Sequence, residues 1–155
     1  MDVDADNFEE AFELLEHYLP KSAFVSLDLE MTGISGPSGT RLCGGDVPQE
    51  QYAKARSVVK RPYNIVQVGI CLFLEVAPRQ FECRPFNIFV FPRPFSEHID
   101  GKHVKVEDYF MGLSASSILF LAERGVDLNR WVCKGVPYTS AADEEALRKA
   151  FDVEA

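Results

Sequence analysis

The chain has 155 residues, with 46% hydrophobic and 12% aromatic side chains and a net charge of -8 at neutral pH; that is material for one core, short for two domains and too apolar for wholesale disorder. The longest apolar run, Ile65 to Leu74, is interrupted by Gln67 and falls far short of the ~20 residues of a membrane helix, so no membrane span is expected. Seven acids and no Lys or Arg occupy residues 1–20, the reverse of the basic start of a signal peptide.

In chain order, Asn7 and Glu10 have capping-box spacing, and Phe8, Phe12, Leu15 and Tyr18 recur at helical intervals before Pro20, predicting an amphipathic helix. AFVSLDLEM then alternates. Val25, Leu27, Leu29 and Met31 fall on one face of a strand, which is expected to be buried, and Phe24, Ser26, Asp28 and Glu30 on the other. Glycines and Pro37 make residues 32–46 a loop, after which Asp46, Pro48 and Gln49 open a helix over roughly 47–59. Tyr63 to Leu74 is apolar on both faces, as a central strand requires, and FNIFVF (86–91) reads as its antiparallel neighbour across a turn near Pro78. That makes three strands. Residues 92–113 read as a long loop, SASSILFLAERG as a helix stopped by Gly125, 127–133 as another helical turn and 143–151 as a polar final helix.

Cys43, Cys71, Cys83 and Cys133 are irregularly spaced with no C-x-x-C pair, so they read as free thiols in a reducing compartment, with Cys71 in the core. The acidic balance opposes phosphate binding, although Arg41, Lys54, Arg56, Lys60 and Arg61 face only Asp46 and Glu50 in their stretch. Such a run is more often a solvated face.

Asp28 and Glu30 carry the chemistry. Two residues apart on one strand face, they stand about 7 Å from each other. Carboxylates are the hard oxygen donors that Mg²⁺ prefers, and in two-metal phosphodiester chemistry the ions activate a water and stabilise the leaving oxygen. Alone, the D-x-E pattern is common, and a solvated strand face is its ordinary meaning.

Its surroundings are not ordinary. FVSLDLEMTGISGPSG, QEQYAKARS, VQVGICLF, PFNIFVFPRPF, SASSILFLAERGVDLN and GVPY follow one another over about residues 7–150. In that order and spacing they resemble the N-terminal part of the poly(A)-specific ribonuclease family of DEDD-type deadenylases. The resemblance implies an α+β, RNase H-like fold with a mixed sheet flanked by helices, Mg²⁺ as cofactor, and removal of poly(A) from RNA 3′ ends. It makes residues 1–155 the N-terminal portion of a single DEDD-type ribonuclease domain whose C-terminal half is missing. Asp28 and Glu30 match the family's first two metal ligands. Ile34, Ser116, Ser117 and Ile118 correspond to places that line the path of the RNA 3′ end, and Met31 stands where members commonly carry Phe. The RNA-binding candidates are therefore Met31, Ile34, Ser117 and Ile118, although Ile118 reads equally as the start of an apolar helix face shared with Leu121.

The family pattern continues with two further Asp ligands and a general-base His. After Trp131 the acids are Asp143, Glu144, Glu145, Asp152 and Glu154, none in a segment resembling those motifs, and His17, His98 and His103 all come earlier. One reading is thus a Mg²⁺-dependent 3′–5′ exoribonuclease acting on RNA with a 3′ poly(A) tail, carrying half its metal site. Another is a non-catalytic, truncated RNA- or partner-binding module that forms a homodimer or pairs with a full-length copy through an exposed sheet edge. A third is a related DEDD nuclease trimming another small-RNA 3′ end. All place it in the nucleus or cytoplasm, off the membrane.

Overall fold

The computed structural model describes residues 1–34, 45–59, 63–99, 102–106 and 110–150. The elements are β1 (Asp2–Val3), α1 (Phe8–Tyr18), β2 (Phe24–Met31), α2 (Pro48–Val59), β3 (Ile65–Ala77), β4 (Gln80–Phe91), β5 (Phe95–Ile99), β6 (Lys102–Val106), α3 (Ala115–Glu123), α4 (Leu128–Lys134), β7 (Val136–Pro137) and α5 (Ala141–Ala150). Helix and strand mix as an α+β chain should.

The main sheet runs β1-β4-β3-β2, with β7 also paired to β4. Strands β2, β3 and β4 are antiparallel to one another, whereas β1 and β7 run parallel to β4, so the sheet is mixed. β3 is central, as its two apolar faces require. It reaches β4 through a tight turn at Arg79, whose φ of 63° is the left-handed conformation such a turn needs. The ladder starts at Ala77↔Gln80, so β4 is longer than the FNIFVF block. Pro85 lies within it, at a point where β1 has not yet begun to pair on the other side. A proline cannot donate to a ladder, and that position requires no donor.

Two clusters hold the sheet. On one face, Val3, Ala11, Leu72 and Phe86 are buried, with Phe8, Leu15, Tyr18, Ile70 and Ile88 packed around them, which places α1 there. On the other, Val66, Phe89, Leu121 and Trp131 gather α3 and α4. The Trp131 indole donates to the Val90 carbonyl at 2.8 Å, so its one polar atom is satisfied inside the core. Gly125, at φ 84°, closes α3 as the helix stop the sequence indicates.

Four expectations change. Asn7 precedes α1, but its side chain does not cap the helix: its Oδ1 accepts from the Asp4 amide at 2.9 Å and its Nδ2 donates to the Asp2 carbonyl at 3.1 Å, fastening the turn between β1 and α1. The stretch 92–113 is not all loop, because β5 and β6 form an antiparallel hairpin with His98 opposite His103. Alternating Phe95, Ile99, Val104 and Val106 around Asp100-Gly101 is the sequence signal for it. Cys71 is half-buried rather than in the core. The largest change concerns β2: the last strand of the sheet among the described residues, it leaves Leu27 73% and Leu29 48% exposed, so the face behind the two carboxylates is not buried. Cys71, Cys83 and Cys133 are free thiols, as read, whereas Cys43, Arg41, Lys60 and Arg61 lie outside the described residues.

Candidate metal and RNA 3′-end site

Register puts the carboxylates on the sheet face that α3 and α4 share. Asp28 lies opposite Gly69 and Glu30 opposite Gln67, while Gln67 in turn lies opposite Phe89, which packs against Leu121 and Trp131. The alternation of β2 therefore does what its sequence requires. Asp28 is exposed and Glu30 half-buried. Burial first, and then the neighbouring Asp28 charge, push the Glu30 carboxyl above the usual carboxylate range. Two carboxylates that repel each other on one face are a donor set that a hard dication relieves. Among the described residues, no group of three or more His, Cys, Asp or Glu side chains is placed to hold a metal.

Beside this pair are two depressions. One, of about 170 Å³, is lined by Ser26, Asp28, Glu30, Gln67, Cys71 and Asn87 among others. Burial, followed by the nearby Cys83 thiol, raises the Cys71 thiol, so it stands protonated at this wall. The other, of about 250 Å³, is formed by Glu30, Met31, Ile34, Ser116, Ser117 and Phe120 with Leu121 at its base. It brings together the end of β2 and the first turns of α3, which are more than eighty residues apart in sequence. Of the RNA-binding candidates, Met31, Ile34 and Ser117 meet there. Ile118 is half-buried one residue further along α3 and does not line it.

Thr32 holds the two walls together. It is wholly buried, and every polar atom it has is used. Its amide donates to the Asn64 carbonyl at 2.8 Å, its carbonyl accepts from the Ser114 amide at 2.8 Å, its hydroxyl donates to the Gly112 carbonyl at 2.7 Å, and the hydroxyl oxygen accepts from the Asn64 amide at 2.9 Å. One residue thus ties the end of β2 to the start of β3 and, through its backbone carbonyl, to the N-cap of α3. The residues missed by sequence reasoning are Thr32, Gly69, Gln67 and Asn87. A signal for Gln67 and Asn87 existed: each is a polar amide interrupting an apolar run, residues 65–74 for Gln67 and 86–91 for Asn87.

A second polar group sits at the far edge of the sheet. Arg130 donates to Asp4 at 2.6 Å and lies 3.5 Å from Asp2, fastening α4 to β1. Burial raises the Asp4 carboxyl, but the Arg130 hydrogen bond, the Asp6 amide and the Arg130 and Lys134 charges outweigh it and leave Asp4 below its ordinary value.

Comparison with known proteins gives a family and a fold. Residues 3–154 match the family described as CAF1 family ribonuclease. Poly(A)-specific ribonuclease PARN of Danio rerio is 34% identical over 98% of this chain and 22% of its own length. The Homo sapiens PARN is 31% identical, again over 98% of this chain and 23% of its own, and poly(A)-specific ribonuclease PNLDC1 of Mus musculus is 32% identical over 97% and 27%. The chain spans about a quarter of these relatives. Among solved structures, Pop2p of Schizosaccharomyces pombe in its Mg²⁺- and Mn²⁺-bound form superposes with a TM-score of 0.57 at 21% identity, covering 96% of this chain and 52% of that one. That likeness shows the RNase H-like fold. Among the described residues no helix is long and apolar enough to cross a membrane.

Proposed function

From the premise that the chain belongs to the CAF1 ribonuclease family, we propose that it serves Mg²⁺-dependent 3′–5′ exoribonucleolytic removal of poly(A), with Asp28 and Glu30 as cation ligands at the cleavage site. The observation that carries the proposal is their placement on one sheet face beside the depression built by Met31, Ile34 and Ser117. The fit to a hard dication rests on the all-oxygen donor pair, in which the Asp28 charge adds to burial in raising Glu30. When bound, such an ion supplies charge neutralisation at the scissile phosphate and an activated water.

The chain's own residues do the rest. Met31 and Ile34 offer apolar surface to a terminal base, Ser117 a hydroxyl to the sugar-phosphate, and Thr32 holds both walls at a fixed separation. Ile118 enters this proposal as a support behind Ser117. Residues 1–155 are taken as part of one DEDD-type domain. With two carboxylates at the site among the described residues, the proposal assigns this chain weak cation binding and negligible turnover by itself, since a second ion would go unsupported. Nuclear or cytoplasmic action on poly(A)-tailed RNA, and pairing with another copy, belong to the same proposal.

The test is a 5′-labelled RNA ending in adenosines, incubated with the chain in Mg²⁺ or EDTA, with binding followed by fluorescence anisotropy on the same oligonucleotide. The proposal expects Mg²⁺-dependent binding that Asp28→Asn abolishes, without a shortening ladder. Binding indifferent to both Mg²⁺ and Asp28 overturns the site, and a ladder that requires Asp28 overturns the half-site part alone.

A further inference from the structure

On the carboxylate face one row of residues crosses the whole sheet. Asp28 of β2 lies opposite Gly69 of β3, Gly69 opposite Asn87 of β4, and Asn87 opposite Asp2 of β1. Paired residues in neighbouring strands stand on the same face. Three of the four positions carry polar side chains; the one between Asp28 and Asn87 carries none. The backbones of Asp28 and Asn87 are two strand spacings apart, about 10 Å. That gap is too wide for the two side chains to meet directly and wide enough for a cation with its water shell.

The trench is open because of Gly69. A Cβ there would meet only the Asp28 carbonyl oxygen at 3.5 Å and the Asp28 Cβ at 3.6 Å, which are ordinary contacts. Packing does not require glycine at this point. Nor does backbone conformation, since Gly69 is not among the residues with positive φ. A glycine inside a central strand weakens that strand, so its presence beside the carboxylates calls for another cause, and space over the sheet is what it provides.

The far wall is oriented. The Asn87 amide nitrogen donates to Asp2 Oδ1 at 3.1 Å, and Asp2 lies 3.5 Å from the Arg130 guanidinium, so the Asn87 carbonyl oxygen is left as an acceptor. Gln67, opposite Glu30 and half-buried in the same depression, brings a second amide. Waters on a dication are strong hydrogen-bond donors, and Mg²⁺ keeps several of them. Their partners must therefore be acceptors, which amide carbonyl oxygens are.

We infer that Gly69 leaves a trench for the water shell of the cation held by Asp28 and Glu30, and that Gln67 and Asn87 accept hydrogen bonds from those waters as positioning residues. The inference rests on the cation reading given above. It gives the two amides that interrupt apolar runs, and the glycine beside them, a common purpose, since outer partners of this kind set both the affinity and the orientation of a bound metal.

Mn²⁺ titration of the full chain, followed by water-proton relaxation enhancement, reads affinity and bound waters without turnover. The variants are Gly69→Ala, Gln67→Met, Asn87→Leu and Asp28→Asn, each with a thermal melt. Gly69→Ala is expected to melt no lower than wild type and to bind Mn²⁺ roughly tenfold more weakly, with Gln67→Met showing a loss of similar size. Asn87→Leu also gives up the Asp2 contact and is expected to lose both affinity and some stability. Asp28→Asn is expected to abolish uptake. Wild-type affinity in both Gly69→Ala and Gln67→Met, while Asp28→Asn loses it, overturns this inference and leaves the cation site standing. No Mn²⁺ uptake by the wild-type chain overturns both.

Discussion

Thr32 shows how much one buried side chain does here. Replacing it with valine keeps the volume but leaves the Gly112 carbonyl and the Asn64 amide without their hydroxyl partner. Buried groups so orphaned cost about 1–3 kcal/mol each. Thr32→Val is therefore expected to lower unfolding free energy by about 2–3 kcal/mol in urea titration, with Thr32→Ser retaining most of it. Asp4 gives a prediction in pH. Its carboxyl is held below the ordinary value of 3.8, chiefly against burial and by Arg130. The stability it contributes is thus fully present above that value and lost as pH falls through the lower, folded one. Asp4→Asn is expected to be less stable than wild type at pH 7, with the gap closing as pH falls below the ordinary carboxylate value, as read by denaturant midpoints at each pH. Neither residue stood out in the sequence. Alternation places Asp28 and Glu30 on one face with no knowledge of the partner strand, whereas the hydrogen bonds of Thr32 reach segments 32 and 80 residues away, and no local pattern encodes them.

Elements were legible where their periodicity is strong. β3 and the core-facing side of α1 follow from runs of apolar residues at the right spacing, and α3 ends at its glycine. β1 and β7, two residues each, have no pattern to read and exist because β4 offers them a ladder. β2 is the instructive case. Its sequence alternates as a half-buried strand does, yet Val25, Leu27 and Leu29 are exposed, because α1 packs over Leu72 and Phe86 and β2 is the outermost strand of the sheet among the described residues. Alternation tells which residues share a face and says nothing of what covers it. Exposed edges with apolar side chains favour self-association. Leu27→Lys is accordingly expected to change unfolding free energy by less than about 0.5 kcal/mol while reducing concentration-dependent light scattering. A large loss of stability would mean that Leu27 is covered in solution.

At the scale of the whole molecule, one sheet carries a buried cluster on each face, and the two carboxylates share a face with the second of them. α1 packs over Leu72 and Phe86, and truncating the wholly buried Leu72 to alanine is expected to cost about 2–5 kcal/mol. On the opposite face, among the described residues, α3 and α4 cover the end near Val66 and Phe89, and Asp28, Glu30 and Gly69 line an open depression. The proposed function puts a divalent cation at that opening. The measurement that bears on this most directly is a ¹⁵N-resolved NMR titration of the chain with Mg²⁺. The account predicts saturable shifts centred on the amides of Leu27 to Met31 and on Gly69, absent in Asp28→Asn. Shifts confined to other acidic stretches, or a response in β2 that survives Asp28→Asn, would contradict it.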